Sequence, residues 1–223
     1  MNMLNYQDAI KIDKRTFFEY YISLIKRKQI FIFTFYTKDD YNSVAIKLSL
    51  FLLLFAVSYA INGLFFNDST MHKIYKDAGS YDFIYQIPQI IYSSIISTSI
   101  NILFRLLSLS EDSILKIKGI KGKKNNYKLI SEIKKCLFIK LIVYFLLSFI
   151  FLIFFWFYLS SFCAVYKNTQ VHLIKDTIIS FALSSLYPFG WGLLPGLLRI
   201  PSLKANKKDK DWMYIISQII QFI

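Results

Sequence analysis

Hydrophobic and polar positions alternate along this chain in long blocks rather than residue by residue. Leu48 to Phe66, Phe83 to Phe104, Leu141 to Tyr166 and Thr177 to Leu198 run for 19, 22, 26 and 22 residues without a charged side chain. About 20 apolar residues, at 1.5 Å rise each, match the 30 Å hydrocarbon layer of a bilayer. The pattern therefore predicts an all-α polytopic membrane protein, a bundle of four transmembrane helices over 48–66, 83–104, 141–166 and 177–198. Residues 1–47 read as a cytoplasmic N-terminal segment, 48–198 as the membrane domain and 199–223 as a cytoplasmic tail.

The flanking segments carry shorter patterns. In DWMYIISQIIQFI, Trp212, Ile215, Ile216, Ile219 and Ile223 recur at helical spacing, with Ser217, Gln218 and Gln221 opposite. Thirteen residues are too few to span, so the sequence predicts an amphipathic helix along the inner membrane surface, with Trp212 and Tyr214 at headgroup level. Near the start, TFFEYYISLIKRKQIFIFTFY divides into two aromatic-rich halves around Lys26, Arg27 and Lys28. Those three charges argue against a fifth span.

Charge orients the spans. The segments outside the four runs hold 8, 2, 10, 2 and 5 Lys plus Arg in chain order. Because basic residues resist translocation, this alternation predicts both termini and the segment 105–140 on the cytoplasmic side. The net charge of +13 is thereby assigned to contacts with anionic lipid headgroups. No nucleic-acid recognition motif accompanies it, so nucleic acid is not an expected partner. The first 15 residues, with Lys11, Lys14, Arg15, Asp8 and Asp13, do not read as a secretory signal.

Inside the second run, Gln86, Gln89, Ser93, Ser97, Asn101 and Arg105 fall three, then four, residues apart. At 3.6 residues per turn this is one polar stripe down one helix face. It reads either as a seam hydrogen-bonded to neighbouring spans or as the wall of a polar pathway. No acidic residue lies within an uncharged run, so a carboxylate proton relay lacks an obvious carrier. The fourth run holds Pro188, Gly190, Gly192, Pro195 and Gly196. Proline removes a backbone donor and crowds the preceding turn, so kinks are expected near Ser184 to Tyr187 and before Pro195. Gly192 and Gly196 form G-x-x-x-G spacing, which permits close helix approach.

Catalytic and metal-binding patterns are absent. There is no G-x-S-x-G, H-E-x-x-H, C-x-x-C or glycine-rich phosphate loop, and HLIKD has three residues where glycerolipid acyltransferases have four between His and Asp. His72, His172 and Asp176 come nearest to a metal-ligand set, in the two outer loops, and no cofactor is implied. Cys136 and Cys163 read as free thiols, Cys136 also as a palmitoylation candidate beside a basic stretch. Asn67-Asp68-Ser69 is a formal glycosylation sequon close to the end of the first run.

FFNDSTMHKIYKDAGSYDFIYQIPQIIYSS and SSFCAVYKNTQVHLIKDTIISFALSSLYPFGWGLLPGLLRIPSL, together about a third of the chain, resemble an uncharacterised membrane module at the C-terminal ends of large protist surface proteins. The resemblance implies a membrane anchor whose soluble domains would precede Met1, with no attached activity. The expected function is thus a non-enzymatic anchoring or scaffolding module, with spans two and four packed through polar and small residues. The alternative is a channel or transporter subunit whose pathway follows the second span. Four spans enclose little room, so a pore would need a homo-oligomer or other membrane proteins as partners.

Overall fold

The structure, a computed structural model, describes residues 5–37, 40–120, 127–166, 169–205 and 211–222. It is all-α, with no strand among the described residues. The helices are α1 (Tyr6–Ile12), α2 (Phe17–Lys28), a short π-helix (Ile32–Tyr36), α3 (Val44–Phe65), α4 (Asp68–Lys76), α5 (Phe83–Ser108), α6 (Glu111–Ile120), α7 (Tyr127–Val165), α8 (Gln170–Trp191), α9 (Leu193–Ala205) and α10 (Asp211–Phe222). Four helical stretches, 44–65, 83–115, 127–165 and 170–204, are long and apolar enough to cross a membrane. Each contains one of the uncharged runs almost entire, but three extend well beyond it. Charged residues at a span's end do not stop a helix; they stop only its immersion.

The chain separates into two compact units. Residues 38–184 form one, and residues 1–37 with 185–223 form the other. The border therefore falls inside α8, after Ser184. It does not follow the sequence boundaries at 47/48 and 198/199, which track charge rather than contact.

The unit of residues 38–184 contains α3, α5, α7 and the first two-thirds of α8. Helix α3 is its centre, burying Leu50, Leu53, Leu54, Val57, Ser58, Ala60, Ile61 and Asn62. In lipid, apolar burial gives helices no preference for one another over acyl chains, so close packing and interhelical hydrogen bonds must hold the bundle. Both are visible. A Cβ on Gly63 would stand 3.3 Å from the Tyr158 ring, and the Tyr158 hydroxyl donates to the Gly63 carbonyl at 3.0 Å. Edge-on, Phe104 of α5 meets Tyr144 and Phe151 of α7, while Phe181 of α8 meets Phe51 and Phe55 of α3. Helix α7 is peripheral by contrast: only Tyr144, Ser148, Phe155 and Phe162 are buried along its described 39 residues. Its large exposed side chains, among them Phe149, Phe154, Trp156 and Phe157, form an apolar surface suited to hydrocarbon and not to water.

Local signals set the shorter elements. Asn67 caps α4, its Oδ1 accepting from Thr70 N at 2.9 Å and from the Ser69 hydroxyl at 2.8 Å. Asp82 caps α5 through Tyr85 N at 3.1 Å. Between them, Ala78 and Gly79 turn the chain with φ of 52° and 80°.

The other unit joins the two ends of the chain. Thr16 and Glu19 make a reciprocal capping box at the start of α2. Tyr6, Ala9, Leu203 and Tyr214 form one small core, and Tyr20, Leu24 and Ile200 another, with Phe17 packed against the second. The Tyr6 hydroxyl donates to Ser202 O at 3.0 Å and that of Tyr20 to Gln221 Oε1 at 2.9 Å. On α10, Tyr214 and Ser217 are buried, whereas Trp212, Ile215, Ile216 and Ile219 are exposed. The small and polar face is thus the packed one, and the expected apolar stripe faces outward. Ile223 lies outside the described residues.

The proline-rich stretch departs from expectation. Helix α8 runs unbroken through Pro188 to Trp191, and the interruption comes at Gly192, whose N–H bonds the Pro188 carbonyl at 2.9 Å. Pro195 follows at the third position of α9, in the first turn, where a missing N–H costs nothing. An interruption at this point frees the Phe189 carbonyl, and the Tyr21 hydroxyl supplies its donor at 2.9 Å. A Cβ on Gly196 would stand 2.7 Å from Phe17 Cε2. The G-x-x-x-G pair therefore does permit close approach, and the neighbour is α2.

Candidate functional site

The polar stripe of α5 lies in the interior of the 38–184 unit. Gln86, Gln89, Ser93 and Ser97 are all buried, Ser93 and Ser97 completely; Asn101 and Arg105 are half-buried. Also buried in this unit are Ser58 and Asn62 of α3 and Asp176, Thr177, Ser180 and Ser184 of α8.

Three direct bonds register these helices. Gln89 Nε2 donates to Asp176 Oδ2 at 3.0 Å. Asn62 Nδ2 donates to Ser180 Oγ at 2.6 Å and to the Ser58 carbonyl at 2.8 Å. The Ser184 hydroxyl donates to the Ser94 carbonyl at 3.2 Å. Passing from Gln89 to Ser94 along α5 and from Asp176 to Ser184 along α8, the bonds advance in the same direction, so the two helices run parallel. Side-chain bonds thus link α5 to α8 through Gln89 and Ser184, and the glycines of 190–196 take no part in them.

Asp176 is the residue the sequence reading misplaced. The charges of 167–176 suggest an outer loop, but α8 already begins at Gln170 and carries Asp176 inward to zero exposure. A carboxylate buried this deeply needs hydrogen-bond donors. Gln89 provides one and the Tyr81 hydroxyl the other, at 2.5 Å to Oδ1. Burial, together with this bond, pushes the Tyr81 phenol well above its ordinary range. The Tyr81 ring lies 5.5 Å from that of His172, and Lys175 Nζ stands 5.0 Å from its centroid. His172 is buried one turn before Asp176 and bonds the Gly79 carbonyl through Nε2 at 3.2 Å. No cationic side chain bonds the Asp176 carboxylate directly among the described residues.

Several atoms of this interior lack a hydrogen-bond partner: Ser58 Oγ, Asn62 Oδ1, Gln86 Oε1, Ser93 Oγ and Ser97 Oγ. Buried polar atoms normally find one. His172 Nδ1, one turn before Asp176, is likewise without one. His72 is exposed on α4 and does not join this group. Among the described residues no three His, Cys, Asp or Glu side chains are gathered as a metal site. Cys136 and Cys163 are free, Cys136 exposed on α7.

A second buried polar group occupies the 1–37/185–223 unit. Arg199, 1% exposed, donates to Asp13 Oδ2 from Nε at 3.1 Å and from Nη2 at 2.8 Å. Arg15 forks onto the same carboxylate at 2.7 and 2.8 Å. The guanidinium of Arg199 sits between the rings of Tyr20 and Tyr214, 5.3 and 4.7 Å from their centroids. Burial alone would raise the Asp13 pKa, but the bonds from Arg15 and Arg199 outweigh it and hold the carboxyl at about 2. This group ties α9 to the segment between α1 and α2. Sequence spacing offers no signal for a pair 186 residues apart.

Compared with known proteins, the chain matches no family model, no curated protein and no solved structure.

Proposed function

We propose that the chain is a multi-pass membrane protein with both termini on the cytoplasmic side, acting as a channel or transporter subunit whose polar interior admits a small polar or charged species. The observation that carries this reading is the buried line from Gln86 to Ser97 with unbonded acceptors, set beside the fully buried Asp176. Polar groups at membrane depth that are left unbonded are costly, and they mark ion or substrate routes. Anchoring, which the resemblance to surface-protein modules implies, requires only an apolar exterior such as that of α7. It gives no reason for a carboxylate inside. Orientation rests on the alternation of basic segments, whose lysines and arginines favour anionic lipid.

The test replaces Cys136 and Cys163 and introduces cysteine at Ser93, Ser97 and Asn101 in turn. A water-soluble thiol reagent should modify at least the two positions toward the end of the stripe. Uniform protection at all three would sink the pathway and leave anchoring as the better reading. Reporter tags at Gly79 and Lys124 should report opposite sides of the membrane; both on one side would refute the topology.

A further inference from the structure

The uncharged runs hold no carboxylate that could carry a proton, but the early start of α8 brings one inside. Asp176 is fully buried, and it accepts the Tyr81 hydroxyl on Oδ1 at 2.5 Å and Gln89 Nε2 on Oδ2 at 3.0 Å. A carboxylate oxygen has two acceptor positions, so one on each remains after these bonds. A buried carboxylate is costly unless it is paired or neutralised, and no cationic side chain bonds this one among the described residues. A proton neutralises it in place: it needs a single lone pair and no shell of converging ligands.

A second proton acceptor lies one turn away. His172 is 4% exposed, and its Nε2 donates to the Gly79 carbonyl at 3.2 Å, because a carbonyl can only accept. Nδ1 is therefore the unprotonated nitrogen of the neutral ring, and it is buried without a partner. His172 and Asp176 are four residues apart on α8 and share a face. The Tyr81 ring stands 5.5 Å from the imidazole while its hydroxyl bonds the carboxylate. Without a proton this pair carries one negative charge, and with one proton it carries none. Holding that proton on Asp176 buries no ion, whereas holding it on Nδ1 buries two.

Tyr81 is half-buried and follows Ala78, Gly79 and Ser80, which are exposed, so the pair lies beside a solvent-facing turn, and Gln89 joins it to the polar stripe of α5. On α8, Lys175 is exposed, with Nζ 5.0 Å from the Tyr81 centroid. On α4, Lys73 is engaged with Asp82 at 2.7 Å. Around the neighbouring Leu173, α3 and the end of α7 bring Tyr59, Tyr158, Cys163 and the adjoining Tyr166, phenols and a thiol. We infer that Asp176 is a reversible proton-binding site of the membrane interior, with His172 Nδ1 as the neighbouring acceptor. The O–H bond formed on the carboxyl replaces one broken in a hydronium ion at the Ala78–Ser80 turn, which is left as water. The inference rests on the channel or transporter reading and names the proton as the species it takes up. Tyr81 and Gln89 are positioning residues: each holds one carboxyl oxygen and leaves a lone pair of it for the proton.

The experiment uses the full chain in liposomes and records infrared difference spectra through a pH titration. Protonating a carboxylate replaces its two C–O stretches by one carboxylic C=O band. The wild type should show such a band that Asp176→Asn lacks, and His172→Gln should retain it, which places the proton on the carboxyl. Tyr81→Phe keeps the carboxyl but removes one donor, so its band should move to higher frequency and its titration midpoint should be displaced by about one pH unit or more. Should Asp176→Asn fail to fold, Tyr81→Phe decides: an unchanged frequency and midpoint there would overturn the inference. So would wild-type and Asp176→Asn spectra that coincide across the titration, or a proton signal from imidazole alone. Failure here is distinct from failure of the pathway. Reactive thiols without an Asp176 band leave a polar route with another cargo; the band with protected thiols leaves a proton site with no route past it.

Discussion

Replacing Asp13 by Asn keeps the side chain's shape and removes its charge. Arg199, 1% exposed, would then hold a buried cation with no counter-charge. Two magnitudes bracket the cost. The carboxyl is held at about 2 against an ordinary 3.8, and at 1.36 kcal/mol per pKa unit the charge state of Asp13 is worth about 2 kcal/mol. Breaking a buried pair by removing one partner costs about 3–5 kcal/mol. Asp13→Asn should therefore lower stability by about 2–5 kcal/mol, which for a chain of this size moves the midpoint by about 5–15 °C. Trp191 and Trp212 belong to the same unit as this pair, so their fluorescence during thermal unfolding in detergent reads the loss locally. The double substitution Asp13→Asn with Arg199→Met removes both charges and should recover most of it, because buried pairs are often replaceable by apolar groups at little cost. A single variant within about 0.5 kcal/mol of wild type, inside the range of neutral surface changes, would refute the reasoning. So would a double variant no more stable than the single.

Further outcomes follow from other contacts. Since the Asp13 pKa is lowered on folding, its ionised form stabilises fully above about pH 4, and that contribution fades as pH falls toward about 2; acid titration of unfolding should show this loss in wild type and not in Asp13→Asn. Gly196→Ala drives a methyl to 2.7 Å from the Phe17 ring and should cost about 1–3 kcal/mol. Gly190→Ala meets nothing within 4 Å and should stabilise α8 by about 0.5–1 kcal/mol, so equal effects at the two glycines would contradict the packing described. Ala78 holds a φ of 52°, and Ala78→Gly should gain about 1 kcal/mol in chemical denaturation. Asn67→Ala removes the cap of α4 and should cost about 1 kcal/mol, seen as reduced protection of the Thr70 and Met71 amides in hydrogen exchange.

Much of the architecture was legible in local pattern, because hydrocarbon thickness and helical periodicity are themselves local constraints. The runs of α3 and α7 needed only length and apolarity, and the α5 stripe was visible as spacing. Asp176 was not, since its tolerance of burial depends on Tyr81 and Gln89, 95 and 87 residues away in the chain. A charged residue near the end of an apolar run reads as a boundary unless its partners are known. Two faint signals did exist: no helix-stopping residue separates Gln170 from Thr177, and His172, Asp176 and Ser180 keep helical spacing. Pro188 misled in the opposite sense. Proline disfavours the helix bond to the residue four before it, but the surrounding helix bonds suffice to carry α8 to Gly192.

The unit that holds Asp13 and Arg199 is stitched from opposite ends of the chain, with Tyr6 bonded to Ser202 and Tyr20 to Gln221. During synthesis, residues 5–37 emerge long before their partners exist. At about 5–20 residues per second, translation of the intervening part takes on the order of 7–30 seconds. For that interval the aromatic face of α2 has nothing of its own to rest on. The bilayer surface is an available shelter for Phe17, Phe18, Tyr20 and Tyr21, so the quality of this unit is decided only when α9 and α10 arrive to claim that face.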